Sequence, residues 1–160
     1  MIQIEYLPIV LTGIGIIASI LYYTSVLRNA NKTRQTQIFM NLYEVYRSVE
    51  FRRLWYGTSS WSWTSYDDFM NKYGWETNPE AFSVLHSILG YFEGVGMLVK
   101  RGEIDIELVE DLLDFPAINL WNKFNFFVYG GRERQDWPEL FANYEYLVNL
   151  INERRKNANR

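Results

Sequence analysis

The stretch "YFEGVGMLVKRGEID", Tyr91 to Asp105, decides between two architectures. Read as a phosphate-binding loop, it would follow a strand, open a helix, and make the chain an α/β nucleotide binder. Read as the end of a helix, it makes the protein all-α. Gly94 and Gly96 match only the first half of a dinucleotide fingerprint, because Val99 stands where the third glycine belongs and no strand pattern precedes the motif. A P-loop needs Gly-Lys followed by Ser or Thr, whereas here Lys100 is followed by Arg101. The helical reading wins.

Working back from this stretch, Asn78-Pro79-Glu80 supplies an N-cap, a first-position proline and an acid in the first turn. The apolar pattern runs from there to Lys100, with Gly102 just past the last turn as a stop. Placed at 100° intervals, Leu85, Ile88, Phe92, Val95 and Val99 form a broad apolar face. Ser83, Ser87, Gly90 and Gly94 form a narrow strip opposite, which predicts a smooth groove for a neighbouring helix of the same domain. A helical glycine costs about 0.5–1 kcal/mol relative to alanine, and close packing is the usual compensation.

Downstream, Asp105 is placed to cap the next helix, and Pro116 is expected to break or kink it near Phe115. A further piece carrying Ile118, Trp121, Phe124 and Val128 is expected to end at Gly130-Gly131. The last helix is predicted from near Pro138, with Leu140, Tyr144, Leu147 and Ile151 on one face. No alternating run is long enough to argue for a sheet. The fold class is all-α: a membrane helix continuing into a stalk, then a small helical bundle.

Upstream, "YLPIVLTGIGIIASILYYTSVL", Tyr6 to Leu27, holds eleven Leu, Ile and Val residues and no ionisable Asp, Glu, Lys, Arg or His. About 20 helical residues cover the ~30 Å hydrocarbon core, so this run is long enough to span it. Arg28, Lys32 and Arg34 follow at once, while no Lys or Arg precedes. The positive-inside tendency then puts the amino terminus outside and the main domain in the cytoplasm. The expected organisation is a transmembrane anchor at 1–27, a helical stalk at 28–50 and a cytoplasmic helical domain at 51–160. Within the anchor, Gly15 and Ser19 are a small-xxx-small pair that admits a second membrane helix, although such residues are also ordinary in membrane spans.

Between stalk and bundle, Trp55, Trp61, Trp63 and Trp75 mix with several tyrosines. They read first as a lid of large side chains over a small core, and second as a partner surface. The chemistry the chain excludes is equally informative. It has no cysteine and one histidine, so thiolate sites, Cys nucleophiles and two-histidine metal sites within the chain are ruled out. A net charge of −3 gives no field for nucleic acid. The acidic group Glu103, Asp105, Glu107, Glu110, Asp111 and Asp114 lacks EF-hand spacing and reads as capping and solubility, then as a surface for a basic partner. His86 and Glu93 share a helix strip but sit two turns apart, roughly 10 Å along the axis, so His86 reads first as a hydrogen-bonded boundary residue and Glu93 as an anchor for a loop or for backbone amides.

At Phe92-Glu93, Gly96-Met97-Leu98-Val99, Arg101-Gly102 and Ile104-Asp105, followed by Leu108, Val109 and Trp121, the chain resembles a prokaryotic domain-of-unknown-function family of small membrane-anchored helical proteins. The resemblance implies an N-terminal apolar helix, a polar stalk and a helical domain. It brings no catalytic residues, and the segment from Trp55 to Trp75 does not match it. The functional expectation is a single-pass, non-enzymatic interaction protein without cofactor, in contact with the bilayer and with another membrane protein or a second copy. The competing expectation is a small membrane-tethered enzyme or ligand sensor with a pocket around Glu93 and His86.

Overall fold

The computed structural model describes residues 6–158 and is helical throughout, with no strand among the described residues. Six α-helices follow in order: α1 Leu7–Arg47, α2 Val49–Gly57, α3 Tyr66–Tyr73, α4 Pro79–Lys100, α5 Ile106–Gln135 and α6 Ala142–Ala158. Compactness divides the chain into two units, Met1–Gln37 and Ile38–Arg160.

In the first unit every Leu, Ile and Val between residues 7 and 27 is exposed. The hydroxyls of Thr12, Ser19 and Thr24 each donate to the carbonyl four residues back, at 2.8, 2.8 and 2.7 Å. Such back-bonding satisfies each hydroxyl within the helix itself. Two helices, α1 and α4, are long and apolar enough to cross a membrane. They differ in burial: α4 buries Leu85, Ile88, Leu89, Phe92 and Val95 in the core, whereas the apolar window of α1 buries nothing.

The second unit starts inside the expected stalk. Phe39 is buried, and Ile38, Leu42, Tyr43 and Tyr46 pack against the core, so this end of α1 belongs to the domain. Ser48 then interrupts the helix and caps α2, its side chain accepting from the Phe51 amide at 3.1 Å.

Local signals set most of the remaining boundaries. Asn78 caps α4 through the Ala81 amide, with Pro79 at the first position, and Asp105 caps α5 through Glu107. Gly102, at φ +70°, closes α4, with its own amide on Val99 O and the Glu103 amide on Leu98 O. That pair of bonds is the Schellman arrangement, and only a residue tolerant of the left-handed region completes it without strain.

Three boundaries differ from expectation. Helix α5 runs through Pro116, which is buried in the core. A proline ring removes one amide donor, and here the packing of the helix outweighs that loss. The Phe115 amide, one residue earlier, donates to the Asp114 side chain. Gly130 and Gly131 do not end the helix either. A Cβ at Gly130 would lie 2.7 Å from Cε2 of Tyr66, and one at Gly131 would lie 2.9 Å from Leu140 Cδ2, so these glycines admit neighbours to the helix surface. Finally, α6 starts at Ala142, after a connection bent by left-handed Asp136 (φ 49°) and Phe141 (φ 52°).

Candidate functional site

Helix α4 carries the residues singled out by sequence, and each has a definite neighbour. Phe92 is buried and stacks on Tyr144 of α6, with ring centres 5.1 Å apart. Glu93 reaches the start of α6: Oε2 accepts from the Tyr144 amide at 2.8 Å, and Oε1 accepts from Asn143 Nδ2 at 2.7 Å and the Asn143 amide at 3.3 Å. Phe141, which precedes α6, has no side-chain acceptor to offer. Glu93 of α4 therefore supplies the cap, and its carboxylate faces the positive end of the α6 dipole. Three residues on, Gly96 is buried beneath α6. A Cβ there would lie 2.6 Å from the Asn143 carbonyl carbon and 3.3 Å from Leu147 Cβ.

The close approach thus falls at Gly96 and not on the strip expected from sequence. Ser83, Ser87 and Gly90 are exposed, Gly94 is half-buried, and a Cβ at Gly90 or Gly94 would meet nothing within 4 Å. The strip is no groove for a helix of this domain, because α4 is rotated so that Glu93 and Gly96 face α6.

His86 does not join Glu93 in a pocket. Its ring lies among Phe82, Phe127 and Phe141, at centroid distances of 4.3, 6.1 and 5.5 Å, and its buried Nε2 has no hydrogen-bond partner. Burial holds its pKa below the ordinary histidine value. No group of three or more His, Cys, Asp or Glu side chains among the described residues could hold a metal ion. Two of the acidic residues of α5 have close basic partners on α6: Arg154 bonds Glu110 at 2.8 Å, and Arg155 pairs with Asp114.

Three of the four tryptophans belong to the core's rim. Trp61 stacks on Tyr73 at 4.3 Å, Trp63 lies 4.8 Å from Phe126 and 5.2 Å from Phe69, and Trp55 meets Phe92 edge-on at 6.1 Å. The fourth, Trp75, is 48% exposed and touches Phe82. Lys123 holds the turn before this segment, donating to Thr58 O at 2.6 Å and Ser59 O at 3.0 Å. In α1, a Cβ added at Gly15 would meet nothing within 4 Å, so its face with Ser19 is uncovered.

The sequence did not single out a cleft where the end of α1 and helix α2 meet the middle of α5. It encloses about 270 Å³. Tyr46, Phe51 and Trp55 form its aromatic wall, Phe115 and Pro116 face them from α5, and Tyr56, Arg52 and Asn119 complete the lining. Phe51 and Pro116 are buried, while Phe115 stands 71% exposed at the rim. Arg52 lies over the Tyr46 ring at 5.7 Å. Burial raises the Tyr46 pKa, with the Arg52 charge opposing it. One signal was present in the sequence: Arg52 has Ser48, Val49, Trp55 and Tyr56 at helical spacings and no acid among them.

The sequence profile of a family described as a domain of unknown function, DUF4760, matches residues 9–151, a span that includes the Trp55 to Trp75 segment expected to lie outside the resemblance. No curated protein and no solved structure matches the chain.

Proposed function

We propose that this chain, which belongs to the DUF4760 family, is a single-pass membrane protein whose cytoplasmic helical domain serves as a non-catalytic interaction module. One observation carries the reading: the eleven aliphatic side chains of residues 7–27 are all exposed on a helix with no charge over that length. In water such a surface is a large uncompensated hydrophobic area, and in a bilayer it is solvated. Arg28, Lys32 and Arg34 at one end favour an outside amino terminus and a cytoplasmic domain. The non-catalytic part rests on how the ionisable side chains are used. Glu93 caps a helix, His86 is packed among phenylalanines, and Glu145 is held by Arg132 at 2.6 Å. The uncovered Gly15 and Ser19 face favours contact with another membrane helix or a second copy.

The natural chain has no cysteine, so one introduced at Asn157 is a unique label. The expected result is that the protein stays with membranes after alkaline carbonate extraction and that the thiol resists impermeant reagents until cells are opened. Release by carbonate defeats the anchor, and ready labelling of intact cells reverses the topology. In mild detergent a partner or second copy should co-elute; a bare monomer, under conditions that preserve other complexes of the same membrane, counts against the interaction role.

A further inference from the structure

The cleft beside α5 gathers polar side chains that the fold itself does not use. Several polar side chains elsewhere hold the fold together: Lys123 on two carbonyls, Glu93 on two amides, and Arg132 on Glu145 and the Leu140 carbonyl. Around the cleft, the Arg52 guanidinium, the Tyr46 hydroxyl, the Trp55 indole N–H and the Asn119 amide make no hydrogen bond or ion pair with another group among the described residues. Each of these four can donate, and one is a full positive charge. Their residues line a concave aromatic space, which is the general form of a small-molecule site: apolar walls with a few polar groups that fix orientation.

We infer that this cleft binds a small carboxylic acid with an aromatic or short aliphatic body. The charge sets the anionic group. A single planar guanidinium matches the two oxygens of a carboxylate, and no second cation lines the cavity to balance a doubly charged phosphate. The walls set the body, which lies between the rings of Tyr46, Phe51 and Trp55 and the ring of Pro116. Proline suits that position: it offers an apolar face and adds no amide donor. The volume sets the size. At about 270 Å³ the cavity is just below the range of roughly 300–1,000 Å³ typical of drug-sized ligands, so it fits one ring or a short chain. Tyr46 and Asn119 are the remaining donors to the carboxylate.

This inference is independent of the membrane reading, whose test is extraction and labelling. The test here uses the full chain in lipid nanodiscs, with empty nanodiscs as the reference. The probes are 3-phenylpropionate, hexanoate and the neutral 3-phenylpropan-1-ol, followed by saturation-transfer NMR and calorimetric titration. Both acids should bind saturably, and the alcohol about tenfold more weakly than its acid, as loss of a hydrogen-bonded charge requires. Arg52→Gln should weaken the acids about tenfold and leave the alcohol unchanged. Arg52 is exposed, so the variant should keep the parent near-ultraviolet circular dichroism. Arg53, which pairs with Glu50 at 3.4 Å and does not line the cleft, supplies the control: Arg53→Gln should bind the acids as the parent does. Absence of saturable binding by both acids overturns the inference and leaves the cleft as a crease or a partner's docking surface. Equal affinity for acid and alcohol, or equal losses in the two arginine variants, overturns it too.

Discussion

Replacing Gly96 by alanine adds one methyl group where the structure has no room for it. The new Cβ would lie 2.6 Å from the Asn143 carbonyl carbon, whereas carbon atoms in favourable contact sit about 3.5–4.0 Å apart. Helix α6 must therefore retreat by roughly 1 Å. The Glu93 bonds to Tyr144 and Asn143, now 2.8 and 2.7 Å, would stretch past the useful hydrogen-bond range. Overpacking costs about 1–3 kcal/mol. Weakening a bond to a charged group adds about 1.5–3 kcal/mol at most, and the better helix propensity of alanine returns about 0.5–1 kcal/mol. The net expectation is a loss of about 2–4 kcal/mol, or about 6–20 °C in melting temperature for a domain of this size. Gly90→Ala and Gly94→Ala supply the comparison. Their added methyl meets nothing within 4 Å, so each should gain about 0.4–1 kcal/mol. Thermal melts of the full chain in mild detergent, followed in the near-ultraviolet, read the packing of the aromatic core directly. Because the two kinds of glycine should shift the melt in opposite directions, a systematic detergent effect cannot imitate the result. An unchanged melt for Gly96→Ala, or a matching drop for Gly94→Ala, would refute the argument that Gly96 alone among these three admits a neighbouring backbone.

Burial keeps His86 neutral in the folded domain by lowering its pKa, whereas the unfolded chain takes up a proton near the ordinary value of 6.5. Stability is thus indifferent to this group above that value and falls as the pH drops below it, until the folded domain takes up the proton as well. His86→Phe should flatten that part of a melting-temperature profile, and an unchanged slope rejects the assignment. Trp63→Ala opens a space beside Phe69, Phe124 and Phe126 and should cost about 2–4 kcal/mol, whereas Trp75→Ala, at a half-exposed position, should change the melt little. Equal melts for the two variants would contradict the placement of Trp63 in the rim of the core.

What could be read from the sequence was what depends on a few neighbouring residues. Asn78 with Pro79, Asp105, and Gly102 after Lys100 act through bonds to residues within one turn, so their meaning survives without tertiary information. The errors occur where a distant segment decides. Pro116 breaks an isolated helix, yet here its ring is buried against the core. Gly130 and Gly131 look like a stop until Tyr66 and Leu140 are brought against them. On α4 the periodicity located the apolar face correctly but could not choose between glycines, because that choice depends on the rotation of α4 against α6. The expectation that Glu93 bonds backbone amides was the better guide. Glu93 is a charge bordering an apolar helix face, with Gly96 one turn away; such a pair fits an arriving helix start, which needs an acceptor for its amides and room for its backbone.

The same geometry narrows where a partner could bind. The acidic residues of α5 were one option for a basic partner, but Arg154 and Arg155 of the chain's own last helix already occupy Glu110 and Asp114. The tryptophan-rich segment was another, yet Trp61 and Trp63 are committed to Phe69 and Phe124. Those contacts cannot be given up for a partner without opening the core, which would cost more than a modest interface returns. Two surfaces involve no such cost: the uncovered face of α1 around Gly15 and Ser19, and the cleft beside Arg52. On the readings proposed above, the first would meet a bilayer and another membrane helix, and the second a small charged ligand. Their demands are separable, since substitutions at Gly15 leave the cleft's lining intact and Arg52→Gln leaves the apolar run uncharged. If membrane association and acid binding nevertheless rise and fall together across such variants, the two surfaces are coupled through the protein. The coupling free energy would then be read from the ratio of acid affinities with and without the membrane partner.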